Sequence, residues 1–341
     1  MAKRKGKWLV AGAVLAAAAG LAVFVAWHEV MGPSTRFTDE SRVLLIPTGS
    51  DFRTAMDSLE RIEAVHDERA AELLLKRGTI KPGRYRVKKD MNLRAIARML
   101  HAGEQEPVRI TFSNVDHLQE LSGRLGRALE PDSVAFLKAF LDPDQQREAG
   151  LSDATMISLF LPNTYELWWT TTPDQFIARM RKEHVAFWNE SRREQLAALK
   201  LSAAEASTLA SIVQAETVKM ADAPTIAGVY LNRLRIGMPL QADPTLKFAL
   251  GTGEVQRLLN RDKEVDSPYN TYRYTGLPPG PINMPEPRFI DAVLSAPKHD
   301  YLYFCARADL SGYSDFARTY DQHLVNARRY QKALNARKIY R

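Results

Sequence analysis

Residues 209–217 read Leu209-Ala210-Ser211-Ile212-Val213-Gln214-Ala215-Glu216-Thr217, and this stretch places one carboxylate at the end of an otherwise apolar helical face. Upstream, Ser202 followed by Glu205 is a capping-box signature, and the Ala-rich run behind it favours a helix, which the pattern predicts over 203–220. On that helix Glu216 continues the apolar face formed at helical spacing by residues between 206 and 213. An ionisable group therefore ends a face that otherwise packs inward.

Burial of Glu216 would have a chemical consequence. Desolvation disfavours the charged form of a carboxyl and raises its pKa towards neutrality, which is what a general acid needs at pH 7. The same spacing also fits a structural interpretation, in which Glu216 marks the edge where the apolar face meets water. The helix pattern leaves both interpretations open and makes Glu216 a candidate catalytic residue.

The N-terminus has the pattern of a membrane anchor. Four cations within residues 1–7 precede an unbroken apolar run, 8–27, whose roughly twenty residues match the hydrocarbon thickness of a bilayer. Because the cations lie only on the N-terminal side, the positive-inside rule places the arm in the cytoplasm and the rest of the chain outside it. The alternative is a cleaved signal peptide, but the run is long for one and no small-x-small cleavage site follows.

The excess of basic over acidic residues is confined to the two ends of the chain. The sequence carries 47 Lys and Arg against 40 Asp and Glu, a net charge of +7. The N-terminal arm and residues 318–341 together exceed that total, so the middle of the chain is net acidic. Duplex binding needs a broad basic face, and the sequence therefore predicts no nucleic-acid partner. We interpret the C-terminal cations as a solvated helix face.

Cysteine and histidine usage gives no sign of a metal centre. The lone Cys305 has no partner for an internal disulfide, which argues against a disulfide-built secreted scaffold. No metal-ligand spacing stands out around it. The sequence therefore predicts neither a metal nor a cofactor.

The order of patterns predicts an α+β protein with a small α/β subdomain followed by a larger mixed α+β domain. Strands are predicted at 42–47, 85–87 and 108–112, with helices at 51–64, 67–77 (closed by Gly78) and 93–100 (capped by Asn92 and ended by Gly103). Further on, the pattern predicts two helical segments within 117–140, an aromatic strand or loop at 160–169, and helices at 173–193 and 224–234. The predicted boundaries are a cytoplasmic arm 1–7, a transmembrane helix 8–27, a linker 28–41, the subdomain 42–112 and the larger domain 113–341.

A set of polar side chains beyond the Glu216 helix offers donors and acceptors suited to sugar hydroxyl and acetamido groups. Asp243 precedes a proline, which restricts it to extended or turn geometry, so 241–245 is predicted to be a loop. Spacing does not show whether the set converges. The candidate substrate-binding residues are Asn232, Gln241, Asp243, Tyr269 and Asn270.

Residues 85–97 resemble the opening of a LysM module, a small glycan-binding fold. Its tyrosine on a strand and its Ile-Ala pair on a helix suit a core equally well, so glycan contact by this subdomain is left open. The same holds for Trp168 and Trp169, whose rings fit either a sugar face or a core.

Five blocks in fixed order carry a wider resemblance. They are 209–217, 227–234 (Ala-Gly-Val-Tyr-Leu-Asn-Arg-Leu), 237–245 (Gly-Met-Pro-Leu-Gln-Ala-Asp-Pro-Thr), 269–272 (Tyr-Asn-Thr-Tyr) and 276–282 (Gly-Leu-Pro-Pro-Gly-Pro-Ile). Together they resemble the signatures of the YceG-like endolytic murein transglycosylases. Asn163, where many relatives would show Asp, and Gln214, where relatives often have an acid, are local departures.

The resemblance implies an inner-membrane enzyme that cuts nascent peptidoglycan strands in the periplasm, after a LysM-like subdomain. Glu216 matches the family's catalytic residue. As acid it would protonate the oxygen between N-acetylmuramic acid and N-acetylglucosamine, and as base it would help to close a 1,6-anhydro ring. The implied partners are glycan strands, the inner membrane through 8–27, and peptidoglycan synthases. Two alternatives stay open: a muramidase using Asp243 as second carboxylate, and a glycan-binding scaffold without catalysis.

Overall fold

The computed structural model describes residues 2–113, 115–251 and 258–337. The chain divides into two compact units. The first comprises Met1–Ile110, Ala128–Pro131 and Glu166–Thr172, and the second comprises Thr111–Arg127, Asp132–Tyr165 and Pro173–Arg341.

The first unit contains a two-stranded antiparallel sheet covered by helices. Its elements are α1 (Ala2–Met31), β1 (Ser41–Ile46), α2 (Phe52–Arg61), α3 (Glu68–Leu75), β2 (Gly83–Lys88) and α4 (Leu93–Ala102), followed by β3 (Val108–Phe112). Strand β1 pairs with β2 so that Leu44 lies opposite Tyr85, and both side chains are buried. The core of this unit therefore lies between the inner face of the sheet and the helices.

The helices of the first unit begin at side-chain caps, and the predicted cap at Asn92 is confirmed. Asp51, Asp67 and Asn92 accept hydrogen bonds from backbone N–H groups at the starts of α2, α3 and α4. Gly103 closes α4 at a φ of 74°, a left-handed value that glycine adopts without strain. The predicted closure of α3 by Gly78 is wrong, because the helix ends earlier and Lys76 occupies its C-cap.

The residues that carry the LysM resemblance are core residues. Tyr85, Ile96 and Ala97 are buried, and the Tyr85 hydroxyl donates to the carbonyl oxygen of Lys81 at 2.7 Å. Their burial explains the pattern through packing. Glycan contact by this unit stays a prediction.

The second unit is mostly helical. Its elements are α5 (Leu118–Ala128), α6 (Ser133–Phe140), α7 (Pro143–Ala149), β4 (Asn163–Leu167), α8 (Pro173–Phe187), α9 (Glu190–Leu199), α10 (Ala203–Glu216), α11 (Ala223–Arg235), α12 (Asp243–Leu250), α13 (Pro287–Leu294), β5 (Tyr303–Ala306), β6 (Ser314–Ala317) and α14 (Tyr320–Ala336). Strand β5 pairs with β6 as an antiparallel hairpin. The α+β class is thus confirmed, as a largely helical protein with small two-stranded sheets.

Helix α10 is the centre of the second unit. It packs against α11, α12 and α13, and its Leu209, Ile212 and Val213 side chains are fully buried. Burying each such side chain stabilises the fold by about 1.5–3 kcal/mol. Because α10 is held on several sides, the position of its last residue is fixed by the core.

Three predicted boundaries in the second unit are wrong for local reasons. The helix predicted over 173–193 breaks after α8, where Asn189 caps a new helix by accepting from the Arg192 N–H at 3.1 Å. The Glu216 helix ends at Glu216 rather than at residue 220, since Thr217 is extended. The predicted loop 241–245 contains the start of α12, because Pro244 is tolerated in a first helical turn.

The described residues do not include a single helix long and apolar enough to cross a membrane. The apolar stretch Gly12–Val25 of α1 is shorter than a membrane span. Helices α9 and α10 are together long and apolar enough for one, but the chain bends by 80° between them. The predicted anchor 8–27 begins among residues whose side chains lie outside the described part of the chain. The anchor stays a prediction.

Candidate active site

The candidate site is built on the C-terminal end of α10. The capping box starts this helix: the Ser202 hydroxyl accepts from the Glu205 N–H at 3.2 Å, and the Glu205 carboxylate accepts from the Ser202 N–H at 2.8 Å. With its start fixed and its apolar face buried, α10 delivers Glu216 as its final residue. The predicted cap role of Glu205 is confirmed.

Glu216 lies in a cleft of about 340 Å³ within the second unit. Side chains from α10, α11, α12, β5 and α14 reach it, although these elements are far apart in the sequence. The cleft is lined by Glu216, Tyr230, Arg233, Leu240, Gln241, Asp243, Tyr272, Tyr303, Phe304, Tyr320 and His323.

The Glu216 carboxyl is held by a buried tyrosine. The Tyr230 hydroxyl donates to Glu216 Oε1 at 2.9 Å, and Tyr230 itself is only 1% exposed, with its ring edge-on to Phe304. Burial raises the pKa of Glu216 to about 7; the Tyr230 hydrogen bond opposes this shift, and the negative charge of Asp243 adds to it. The negative end of the α10 dipole also disfavours the carboxylate. At neutral pH Glu216 is therefore both donor and acceptor of protons.

Arg233 places a buried cation beside this carboxyl. It is 7% exposed, and its guanidinium donates to the carbonyl oxygens of Leu302 at 2.7 Å and Leu240 at 2.5 Å. Burial lowers its pKa from the ordinary value of 12.5, yet the group stays charged. Its charge partly offsets the effect of burial on Glu216.

A second carboxylate, Asp243, is exposed to solvent, in contrast to the buried carboxyl of Glu216. Asp243 is exposed at the start of α12, and the Tyr272 hydroxyl donates to its Oδ1. The preceding Gln241 has a φ of 51°, a left-handed value that is uncommon outside glycine, and its N–H donates to the Thr271 carbonyl oxygen at 3.0 Å. Strained backbone of this kind is concentrated at functional sites, and Gln241 lines the cleft.

Comparison with known proteins places the chain in a family. The profile of the YceG-like family matches residues 44–329. The chain belongs to the YceG-like family. A Bacillus subtilis protein named endolytic murein transglycosylase is 29% identical to it over 312 residues, covering 85% of each chain.

Two further relatives agree with this assignment. A Streptococcus pneumoniae protein of the same name is 28% identical over 298 residues, which cover 76% of this chain and about half, 53%, of that relative. The 2.6 Å crystal structure of a YceG-like protein from Listeria monocytogenes aligns with a TM-score of 0.58 at 27% identity, covering 84% of this chain and 98% of that one.

The YceG-like chain brings together only part of the predicted polar set. Gln241 and Asp243 line the Glu216 cleft. Asn232 instead donates to the carbonyl oxygens of His299 and Tyr301, at 2.7 and 3.0 Å. Those bonds hold the segment before β5 against α11.

The other two predicted residues also have structural contacts. The Asn270 side chain is fully buried and donates to the carbonyl oxygens of Lys263 and Val265 at 2.9 and 2.8 Å. The Tyr269 ring packs against Phe248, with ring centroids 4.6 Å apart. Neither residue lines the cleft in this arrangement, and substrate contact by them stays a prediction.

Several cleft residues were missed by sequence reasoning. Tyr230 and Arg233 lie three residues apart on one face of α11, inside the block 227–234, so helical spacing could have found them. Tyr320 and His323 carried no such signal, because α14 was interpreted as a solvated basic helix. Their position depends on packing against β5, a long-range contact.

Gln214, the departure within the YceG-like blocks, joins α10 to the segment before α13. Its amide donates to Asn283 Oδ1 at 3.2 Å, and its Oε1 accepts from the Glu286 N–H at 2.7 Å. The Ser211 hydroxyl also accepts a hydrogen bond from the Ile282 N–H at 3.0 Å. An acid at position 214 could accept but not donate, so the amide suits both partners.

Proposed function

We propose that this chain is an endolytic murein transglycosylase, which cleaves peptidoglycan strands between N-acetylmuramic acid and N-acetylglucosamine without consuming water. The observation that carries the proposal is one carboxyl, Glu216, in a cleft, with its pKa raised to about 7. A group with that pKa can give a proton and take one back at the same pH. The names of the Bacillus subtilis and Streptococcus pneumoniae relatives support the substrate class.

In the first step Glu216 acts as general acid. Its carboxyl proton moves to the glycosidic oxygen while the bond to the muramic anomeric carbon breaks and positive charge develops on that carbon. The N-acetylglucosamine leaves with the proton as a free hydroxyl. Glu216 is now a carboxylate.

In the second step the same carboxylate acts as base. It takes the proton of the 6-hydroxyl of the muramic residue, whose oxygen attacks the anomeric carbon and closes the 1,6-anhydro ring. The proton lost in the first step is thus regained, so the enzyme returns to its starting state. An intramolecular hydroxyl has a high effective molarity, and one carboxyl can serve both steps where a hydrolase needs two.

Tyr230 supports the exchange between the two forms of Glu216. A hydroxyl that donates to a carboxylate stabilises the charged form, which exists between the acid step and the base step. Burial stabilises the neutral form. The two opposing effects keep the pKa near neutrality.

The second candidate function is a hydrolytic muramidase, which the position of Asp243 in the same cleft favours. In that reaction Asp243 would act as the second carboxylate, and a water would be added across the bond. Product masses distinguish the two reactions, because hydrolysis adds one water to the products for each glycosidic bond cleaved and the anhydro reaction adds none.

We also propose that the chain is anchored in the inner membrane by residues 8–27, with its arm in the cytoplasm and the site in the periplasm. The charge asymmetry of the N-terminus supports this orientation. The site would then lie beside the synthases that extrude new glycan strands. Protease digestion of intact spheroplasts checks this: the second unit is expected to be cut, and full protection would contradict the orientation.

The activity is tested by E216Q with E205Q as its matched control. Both changes replace a carboxylate by an amide on α10, but Glu205 only caps the helix and a glutamine can also accept from the Ser202 N–H. With purified peptidoglycan, E216Q is expected to release anhydro-muropeptides about 10²–10⁴-fold more slowly than the wild type, and E205Q to release them at the wild-type rate. Release by E216Q at the wild-type rate would refute the assignment.

A further inference from the structure

The first turn of α14 forms one side of the Glu216 cleft. Thr319 caps this helix by accepting from the Gln322 N–H at 3.3 Å, and Gln322 Oε1 accepts from the Arg318 N–H at 3.2 Å. The start of the helix is therefore fixed, and Tyr320 occupies its first position. His323 lies three residues on, on the same face.

Tyr303, Tyr320 and His323 form a continuous aromatic surface, here called the aromatic wall. The centroid of the Tyr303 ring lies 5.8 Å from that of Tyr320 and 5.5 Å from that of His323, the latter at an interplanar angle of 24°. Tyr320 and His323 are themselves 6.2 Å apart. All three line the cleft that holds Glu216.

The wall combines an exposed ring with a buried nitrogen that has no partner. Tyr320 is 57% exposed, although it lies against two other rings. His323 Nδ1 is buried and has no hydrogen-bond partner among the described residues. Leaving such an atom unpaired is unfavourable, so this corner is not arranged for stability alone.

His323 contributes a neutral ring to the aromatic wall. Burial, together with the nearby positive charge of Arg233, lowers the pKa of His323, so its imidazole is neutral at pH 7. Neutral aromatic faces suit ligands that present apolar C–H groups on one side and hydroxyls at the edge. A pyranose ring has this character.

We propose that the aromatic wall is a sugar-binding subsite, in which Tyr320 stacks on a pyranose ring of the glycan strand next to the bond placed at Glu216. This inference rests on the proposed function, since it requires a glycan to occupy the cleft. The C-terminal helix is then part of the binding site, and its cations lie beyond the wall on the following turns.

The test compares Y320A, Y320L and Y320F with Y274A, each in the full chain. Tyr274 is a matched control, because it is 41% exposed but lies outside the cleft. With peptide-free glycan strands as substrate, Y320A and Y320L are expected to raise KM about three- to tenfold with kcat changed less than twofold. Y320F keeps the ring and is expected to raise KM less than Y320A and Y320L do, whereas Y274A is expected to retain the wild-type KM.

Direct binding separates this inference from the proposed activity. Titration of the same glycan strands into E216Q and into E216Q combined with Y320A measures affinity without turnover, and the second protein is expected to bind three- to tenfold more weakly. Equal affinities, or an unchanged KM in Y320A and Y320L, would overturn the subsite. If the wild-type chain binds glycan through Tyr320 but releases no anhydro products, the subsite holds and the proposed activity fails.

Discussion

Two carboxyls face the same cleft, and each accepts a hydrogen bond from a tyrosine hydroxyl, yet their surroundings are opposite. Glu216 ends a buried helix and is held by buried Tyr230, whereas Asp243 is exposed at the start of a helix and is held by Tyr272. A helix C-terminus disfavours a negative charge, and a helix N-terminus favours it. In the proposed mechanism, burial and helix position make Glu216 rather than Asp243 the proton carrier, because the tyrosine contact is common to both.

The largest expected difference between the two carboxyls is in activity. E216Q removes the only proton carrier of the proposed mechanism and is expected to lower kcat by about 10²–10⁴-fold. D243N keeps the side-chain shape and is expected to lower kcat by less than about tenfold, since removing a single charge near the site has a smaller effect than removing the acid. The release of soluble muropeptides, whether anhydro or hydrolysed, measures both variants; equal losses would favour the two-carboxylate muramidase.

The next expected effect is on stability. The pKa of Glu216 rises from 4.5 to about 7 on folding, so the native state holds the proton more tightly than the unfolded state does. The contribution of Glu216 to the free energy of unfolding is therefore largest below about pH 4.5. It decreases as the pH rises towards 7 and is constant above that pH, and the total loss is up to about 3 kcal/mol.

In E216Q the carboxyl is replaced by an amide that stays neutral at every pH. This variant is therefore expected to be more stable than the wild type at pH 8 and equally stable at pH 4. Urea unfolding of the two proteins at both pH values measures the difference. A glutamine variant that is less stable at pH 8 would show that the carboxylate is not disfavoured in the folded state. D243N serves as the control and is expected to gain less stability at pH 8 than E216Q, because it removes one nearby charge and leaves the buried carboxylate in place.

A smaller effect is expected from the two tyrosines. The Tyr230 hydroxyl lowers the pKa of Glu216, so Y230F should raise that pKa further and move the high-pH limb of the activity profile upwards. Losing a hydrogen bond to the charged intermediate form should also lower kcat by about tenfold. Y272F is the matched control because its partner is Asp243, and its profile is expected to stay close to that of the wild type.

The smallest expected effect is that of Asp243 on the same limb. Its negative charge raises the pKa of Glu216, so D243N should move the high-pH limb of activity downwards, opposite to Y230F. The shift should shrink in high salt, because Asp243 is exposed and screened by ions. A shift in the same direction as Y230F would contradict the electrostatic link between the two carboxyls.

The parts of the fold that follow from local chemistry were predictable from the sequence. The caps at Asp51, Asn92 and Ser202 mark helix starts because each side chain bonds to backbone N–H groups within three residues. The placement of Glu216 at the end of a buried face followed from helical spacing. Its depth in the cleft could not be derived that way, since it depends on contacts with α11 and β5.

Predictions that needed long-range packing were the least complete. Asn270 and Asn232 were predicted as substrate contacts from their residue type. In the structure the Asn270 amide donates to neighbouring carbonyl oxygens, and the Asn232 amide donates to carbonyl oxygens near β5. Conversely, Tyr320 and His323 belong to the cleft because α14 folds back on β5, which composition does not reveal. Helical periodicity shows which residues share a face, while tertiary contacts decide what that face meets.

In the proposed reaction Glu216 acts both as the acid and as the base, and no water is consumed. The most direct test is digestion of purified glycan strands by the full chain in water labelled with the heavy oxygen isotope, with product masses read by mass spectrometry. The proposed reaction predicts new muramic ends that are anhydro and carry no label. New reducing ends that contain the heavy oxygen would show that water attacks the anomeric carbon, and would contradict the assignment of both steps to Glu216.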